Sequence, residues 1–539
     1  MKTFFSTLVL LLFAARVQAD CQPVAENQFL TGDNGIHIRS INYTTYNVFD
    51  LNDEGSFWLH EFANYTHTIT RESVVADDVL FKAGGSLHLS ELAETERLLR
   101  SRRHFREAEV RISHYCADDN SVIVNVSTWD NWSLLPTLDF SSSGGRSKSA
   151  IGFEEDNLLG TGNRLNLEYK RDSERTGVGF VFFSPNMFGS FWNSTAAYSK
   201  NSDGNNYQLS LNRPFYRLSS PWALGFDIDR IAEDVFEYDA GEEYNSFQRQ
   251  RNHAKAEFGY RLTSAHSHNI HRLKLGVESE NVKFSANADT LLDFPNDRNL
   301  TSVWLEYEGI QADYRKLFNI NSFNRTEDFN FGWQLNARIG SYSKSLGADS
   351  NSLFWQLTTS KNWQLAADLY LLGDLSWWQR QFAQPQYLLS THWQLVKHFN
   401  EYNSLVGKLT LDKGKNLYRD EPLYIGGDEQ LRAYPDFFQS GESRAMFSAE
   451  YRRYTDWSLW QLLDVAFAGY IDAGKVWQSD EQDANAVDNS ALIGIGAGLR
   501  LLSNHSSRGT MIHMDLTKAL TANDNVKGLE LRITATKSF

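Results

Sequence analysis

The chain ends on LELRITATKSF (residues 529–539), a stretch that reads as one strand with two different surroundings. Side chains alternate along a strand, so Leu529, Leu531, Ile533 and Ala535 share one face and Glu530, Arg532, Thr534 and Thr536 the other. An apolar outside, a polar inside and a terminal aromatic, Phe539, suit the last strand of a barrel that meets lipid on its outer wall.

The same alternation recurs upstream as far as Leu135. RLNLEYK (164–170), WALGFDI (222–228), LFWQLTT (353–359) and SLVGKLTL (404–411) are examples, separated by turns that are alternately short and long and polar. About twenty such segments can be counted between Leu135 and Phe539. A soluble β-sandwich is the alternative, but it would have to bury every outward apolar face a second time. The 15 Trp, 23 Tyr and 35 Phe favour the membrane, where aromatic belts mark both interfaces. A formal charge of −15 argues against nucleic acid as a partner.

The other end of the chain fits an exported protein. Lys2, an apolar run from Phe4 to Ala15, and Val17 and Ala19 before the break form a secretory signal over residues 1–19. Asp20, neither small nor apolar, disfavours lipid attachment at Cys21. Cys21 and Cys116 are the two cysteines; in an oxidising compartment a disulfide between them would add roughly 4 kcal/mol, and two separate thiols are the alternative.

After a tail over residues 20–35, residues 36–130 have a mixed texture: a strand from Ile36, a helical stretch around Phe57 to Val79, a second helix over SELAETERLLRSRRHF (90–105), then two strands. Ser90 is placed to cap that second helix, and Arg100, Arg102 and Arg103 read as its solvated end. Residues 135–539 form the barrel, with a loop over 417–443 that lacks any apolar period and carries Arg432.

The strands after that loop offer Arg432 a receptor. Glu450 in AMFSAEYRRY (445–454) and Asp472 in DVAFAGYIDAGKVW (464–477) fall on the lumen face of adjacent strands. In LIGIGAGLRLL (492–502), Gly494, Gly496 and Gly498 share the lumen side, where glycine marks the approach of another backbone. The expectation is a loop folded into the barrel, with Arg432 latched on Glu450 and Asp472 and the three glycines facing it.

These residues resemble the POTRA-barrel superfamily of outer-membrane proteins, which includes BamA- and TamA-like insertases, two-partner-secretion transporters and bacterial surface antigens. Leu431, Arg432, Ala433 and Tyr434, after Gly426 and Gly427, resemble its Val/Leu-Arg-Gly-Phe/Tyr loop motif, with Ala433 in place of glycine. Tyr470 to Gly474 is similar to its aromatic-x-Asp-x-Gly strand motif, and GFEEDNLLGTGNRL (152–165) to its second and third barrel strands. The resemblance implies an all-β transmembrane barrel of sixteen strands, against the segment count of up to about twenty. It further implies one periplasmic α+β POTRA-like domain over residues 36–130, and Phe539 as the insertion signal.

It also implies a function without catalysis: insertion or translocation of unfolded outer-membrane or secreted polypeptides, with contacts to lipid and to periplasmic proteins. A client strand would be taken up at a sheet edge of the small domain and enter at a seam between the last strand and LLPTLDFS (134–141), where Pro136 cannot donate to a ladder. A passive pore or a dedicated transporter for one secreted partner are the alternatives. His266, His268 and His271 read as a solvated turn, so no metal is expected; His60-Glu61 lacks the second histidine of a zincin helix; and LLGTGN (158–163) lacks the Lys-Ser/Thr of a phosphate loop. No cofactor is implied.

Overall fold

The computed structural model describes residues 21–24, 35–53, 55–143, 146–265, 267–323, 325–427, 431–477, 490–503, 505–506, 511–521, 526 and 528–536, with the side chains of 135–143 and 536 left aside. The signal segment 1–19, most of the tail and Phe539 lie outside these residues.

The small N-terminal domain is built around four strands and three helices: β1 (Cys21–Pro23), β2 (His37–Tyr46), α1 (Trp58–Thr66), α2 (Glu72–Asp78), α3 (Leu89–Arg100), β3 (Phe105–Cys116) and β4 (Ser121–Asp130). Sheet order is β1-β3-β4-β2, with β2 parallel to β4 and the other pairs antiparallel. The helical stretch expected over 57–79 is two helices, because the chain between them runs extended at His67 and again at Arg71. Ser90 lies inside α3 rather than capping it; the residue before the helix is His88, which makes no side-chain cap.

Val122, Val124 and Val126, spaced two apart on β4, meet Leu92 and Leu99 of α3, Val75 of α2 and Ile38 of β2 in one core. Part of the tail is ordered as β1, which pairs with the end of β3 in the register Cys21↔Cys116 to Pro23↔His114. A disulfide joins Cys21 to Cys116. Pro23 suits this outermost position, where no partner needs its missing N–H.

Twenty strands, from β5 (Leu134–Ser143) to Glu530–Thr536, close into one antiparallel barrel among the described residues. Sixteen, the number the resemblance implies, is therefore corrected to the larger count. Exposure alternates residue by residue: along Leu463–Trp477, Phe467 and Ile471 look outward while Ala466, Ala468, Tyr470 and Asp472 are buried inside. At the closure, Ile533 opposite Ser142 is the one ladder pair between the last strand and β5 among the described residues. The last strand's other neighbour, Met511–Ala519, is zipped to it from Met511↔Thr536 to Thr517↔Glu530.

Both mouths are filled. The small domain caps one of them, gripping successive turns of the rim. Asn157 donates to the Thr68 carbonyl (2.9 Å), Asn186 to Asp78 (2.9 Å), the Leu218 N–H to Glu94 (2.6 Å), and the Trp132 N–H to the His505 carbonyl (2.6 Å). From the same end a hairpin, Tyr314–Phe318 with Thr326–Asn330, enters the lumen between the wall strands Arg298–Gln311 and Gln334–Tyr342. Its tip buries Ile320 against Val396 and Val406, and Phe323 against Tyr454, Ala466, Leu502 and Met511. Loop 416–442 enters from the opposite mouth, one residue earlier at each end than the sequence suggested, and carries its own ladder, Leu423–Ile425 with Gln439–Gly441.

Candidate functional site: the arginine latch in the lumen

Strands Ser443–Leu459 and Leu463–Trp477 pair so that Ser448 lies opposite Asp472 and Glu450 opposite Tyr470, all four facing the lumen. Loop 416–442 delivers Arg432 to this patch. Its Nε and Nη2 donate to the two oxygens of Asp472 (2.8 Å each), its Nη1 to Glu450 (2.6 Å), and Nη2 also to Ser448 Oγ (3.1 Å). Ser448 in turn donates to Asp472 (2.7 Å), and the guanidinium lies 3.2 Å over the Tyr470 ring. A planar fork suits this two-pronged grip, which a lysine could not reproduce.

The residues flanking Arg432 set its position. Gly426 and Gly427 adopt positive φ, and the Gly427 N–H donates to the Tyr434 carbonyl (3.0 Å), closing the loop on itself. Leu431, Ala433 and Tyr434 are buried with Ile425, Phe438, Met446, Val476 and Leu492. The Tyr434 hydroxyl donates to the Ile493 carbonyl (2.8 Å) and accepts the N–H of the same residue (3.0 Å), tying the loop to the wall.

The glycine row requires correction. A Cβ on Gly494 would stand 2.7 Å from that of Ala433, so this glycine does face the loop. Gly496 instead leaves room for the Tyr470 ring (2.5 Å), and Gly498 for Asp515 and the backbone carbonyl of Met514 on the next strand. Gly474 is the second glycine that receives the loop, with Leu431 at 2.9 Å from where its Cβ would be. Alternation assigns a face correctly, but not which neighbour fills the space above it.

More charge surrounds the latch than the motif announces. Glu450 also accepts from Arg452 (3.0 Å) and Arg500 (3.3 Å), and Arg500 donates to Asp515 (2.7 Å). Arg532 on the last strand reaches the Arg432 carbonyl (2.9 Å). Extending the lumen register by two residues beyond Glu450 and Gly498 reaches Arg452 and Arg500; Asp515 and Arg532 lie on the next two strands, Met511–Ala519 and Glu530–Thr536. Further out on the loop, Asp420 accepts from Arg298 (2.7 and 3.0 Å) and Arg249 (3.1 Å), and Phe437 stacks on Tyr238 (4.6 Å). The loop thus spans the lumen from wall to wall.

The basic run at the end of α3 is not a solvated helix end. Arg100 donates to Asp328 of the lumen hairpin (2.8 and 3.0 Å) and to Glu96, Arg102 to Asp78 (2.6 and 2.7 Å), and Arg103 to Glu154 of the barrel (2.9 Å). Lys316 of the hairpin also bonds Glu96, and Arg97 stacks 3.8 Å over Tyr314. Burial alone would raise the Glu96 carboxyl, but hydrogen bonds from Lys316 and Arg100 outweigh it and hold the group below its ordinary range. The contacts between α3 and the hairpin carry no signal in the local sequence, since they join residues more than two hundred positions apart.

His271 bonds the Tyr307 hydroxyl (2.6 Å), His266 lies outside the described residues, and among those described no three ligand-type side chains converge on a metal position.

The Omp85 superfamily domain matches residues 157–539. Among curated proteins, none matches the chain by sequence. Similar solved structures include BamA from Haemophilus ducreyi lacking POTRA domains 1–3, at 12% identity over 96% of this chain and 88% of that one, with a TM-score of 0.39. CdiB from Acinetobacter baumannii covers 93% and 74% of the two chains at 12% identity and a TM-score of 0.47. CdiB from Escherichia coli covers 93% and 76% at 12% identity and 0.48. The family domain spans most of the chain and takes in the whole arginine latch, and on that match the chain belongs to the Omp85 superfamily of outer-membrane β-barrel proteins.

Proposed function

We propose that this protein inserts or translocates polypeptide clients at the outer membrane, with the small domain as its periplasmic, POTRA-like receiver and the seam beside β5 as the route. The observation that carries the reading is the closure of the barrel, where among the described residues a single ladder pair joins two strands that are each zipped along their length to their other neighbour. Unmade ladder bonds at such an edge are an invitation to another strand. A passive pore fits less well, because loop 416–442 and the hairpin both enter the lumen, from opposite mouths, and pack against its wall.

The receiving edge on the small domain is β2. The opposite edge, β3, is occupied along much of its length: β1 pairs with its end, Glu96 accepts the Val110 N–H (3.2 Å), and Arg100 donates to the Ala108 carbonyl (3.2 Å). On β2, among the described residues, only the start is taken, by Gly84 and Gly85 against Ile38 (2.7 and 2.9 Å). A client strand added from Ser40 to Tyr46 gains main-chain hydrogen bonds whatever its sequence.

Photo-crosslinking in cells, with probes at Ser142 and Ile533 of the seam and at Thr44 of β2, tests this reading. Capture of outer-membrane or secreted polypeptides at both places supports it. Capture of lipid and the protein's own strands alone overturns it.

A further inference from the structure

The domain's exposed large apolar side chains are gathered in one stretch of the chain, on α1 and the segments flanking it. Among its described residues they are Tyr46, Leu51, Trp58, Phe62, Tyr65 and Ile69, with none on α2, α3, β3 or β4. Three belong to α1. At 100° per residue, Trp58, Phe62 and Tyr65 project within about 60° of one another. Trp58 is 70% exposed and Tyr65 88%. The opposite side of the helix is buried: Ala63 packs with Val48 and Phe49, and His60 stacks on Phe49 (4.2 Å).

The helix also lies on the rim of the barrel. His60 Nε2 is 3.0 Å from the Trp460 carbonyl in the turn after Ser443–Leu459, and Leu462 of that turn joins the packing around Ala63. At the other end Phe62 meets Trp132, just before β5, edge to face (6.3 Å). Trp457, beside the same turn, stands edge-on to Phe467 (6.2 Å), which faces outward from the wall. The exposed aromatics of α1 thus lie at the rim by the exposed Trp457 and Trp460, next to the outward-facing Phe467.

We infer that α1 is an interfacial membrane anchor, with Trp58, Phe62 and Tyr65 set in the headgroup boundary of the leaflet on the small-domain side. Tryptophan and tyrosine suit that boundary because each has an apolar ring and a polar edge that stays hydrated. A helix lying in the plane of the boundary needs one apolar arc and no spanning length, which is what α1 offers. The occupant is phospholipid rather than a protein surface, because the stripe lies at the rim by the exposed Trp457 and Trp460, where the outward-facing wall ends. This anchor would fix the domain beneath the strands nearest the seam.

Nitroxide scanning of the full chain in phosphatidylethanolamine–phosphatidylglycerol vesicles tests the inference. Cys21 and Cys116 are joined, so Tyr65→Cys, Phe62→Cys and, on the exposed side of α3, Ala93→Cys each present a single thiol. Labels at positions 65 and 62 should collide more with oxygen than with a water-soluble nickel chelate, and the label at 93 the reverse. A label at 65 that prefers nickel, as at 93, overturns the proposal. One shielded from both collision partners also overturns it, since protein rather than lipid would then cover the helix.

Discussion

Replacing Arg432 by methionine keeps most of the volume and removes the charge, and the structure says where the cost falls. Glu450 retains Arg452 (3.0 Å) and Arg500 (3.3 Å), so it is not abandoned. Asp472 loses both prongs of its bidentate partner and keeps the Ser448 hydroxyl (2.7 Å). Asp472 is fully buried, and stripping one partner from such a pair costs about 3–5 kcal/mol. Glu450→Gln should cost less, about 1–3 kcal/mol, because Arg432 keeps Asp472, and Arg500 keeps Asp515.

The assay is urea unfolding of the purified chain in detergent, read as the folded band in semi-native electrophoresis. Arg432→Met should lower the midpoint most, Glu450→Gln less, and Arg432→Met with Asp472→Asn should recover much of the loss, because the orphaned charge is gone. A double variant no more stable than Arg432→Met would refute the assignment of the cost to an uncompensated Asp472. A Glu450→Gln variant weaker than Arg432→Met would refute the ranking.

Three further outcomes follow from the same geometry. Gly498→Ala should destabilise the wall by about 1–3 kcal/mol, since the clash is with backbone and Asp515, whereas Gly494→Ala should chiefly displace the loop, seen as faster proteolysis within 416–442 with the unfolding midpoint nearly kept. Arg100→Ala with Lys316→Ala should free the hairpin and raise conductance in planar bilayers; unchanged conductance would mean that these contacts do not close the inner mouth. Acid should loosen the small domain at His104, whose imidazole burial pushes down to about 4. Between an unfolded value near 6.5 and that folded value the unfolded chain binds the extra proton, so stability falls as pH drops through the window, by roughly 3 kcal/mol in all. Hydrogen exchange on β4 at pH 7 and 5 measures it, and His104→Gln should flatten the dependence.

What the sequence carried was what is local and periodic. Period-two alternation gives each barrel strand its two faces, and the same rule puts Glu450 and Asp472 on one side of neighbouring strands. What it could not carry was depth above the sheet. Gly496 and Gly498 share the lumen side with Gly494, yet the Tyr470 ring and Asp515 stand over them, and this depends on side-chain size in the next strand. Hairpin 314–330 is illegible in the sequence for a related reason: its two strands are only five residues each and show no alternation over that length. The arginines at the end of α3 read as solvated because the partners of Arg100 and Arg103, Asp328 and Glu154, come from the barrel, and that of Arg102, Asp78, from α2.

Glu450 stands where the two plugs meet. On one side it binds Arg432, which carries loop 416–442; on the other it binds Arg452, whose Nη1 donates to the Ile320 carbonyl at the tip of the hairpin (3.1 Å). The hairpin in turn is held by Arg100, Lys316 and Tyr314 against α3 of the small domain. Of the three arginines on this carboxylate, Arg432 belongs to the loop and the wall residue Arg452 reaches the hairpin, so any displacement of α3 that moves the hairpin changes what Arg452 can offer Glu450. Coupling of this kind is a free energy and must be reciprocal. Loosening the hairpin with Arg100→Ala should ease release of the loop, and Arg432→Met should by the same amount ease release of the hairpin. A double-mutant cycle of Arg100→Ala and Arg432→Met on the unfolding midpoint would measure that energy, and simple additivity would mean that the two plugs close the barrel independently.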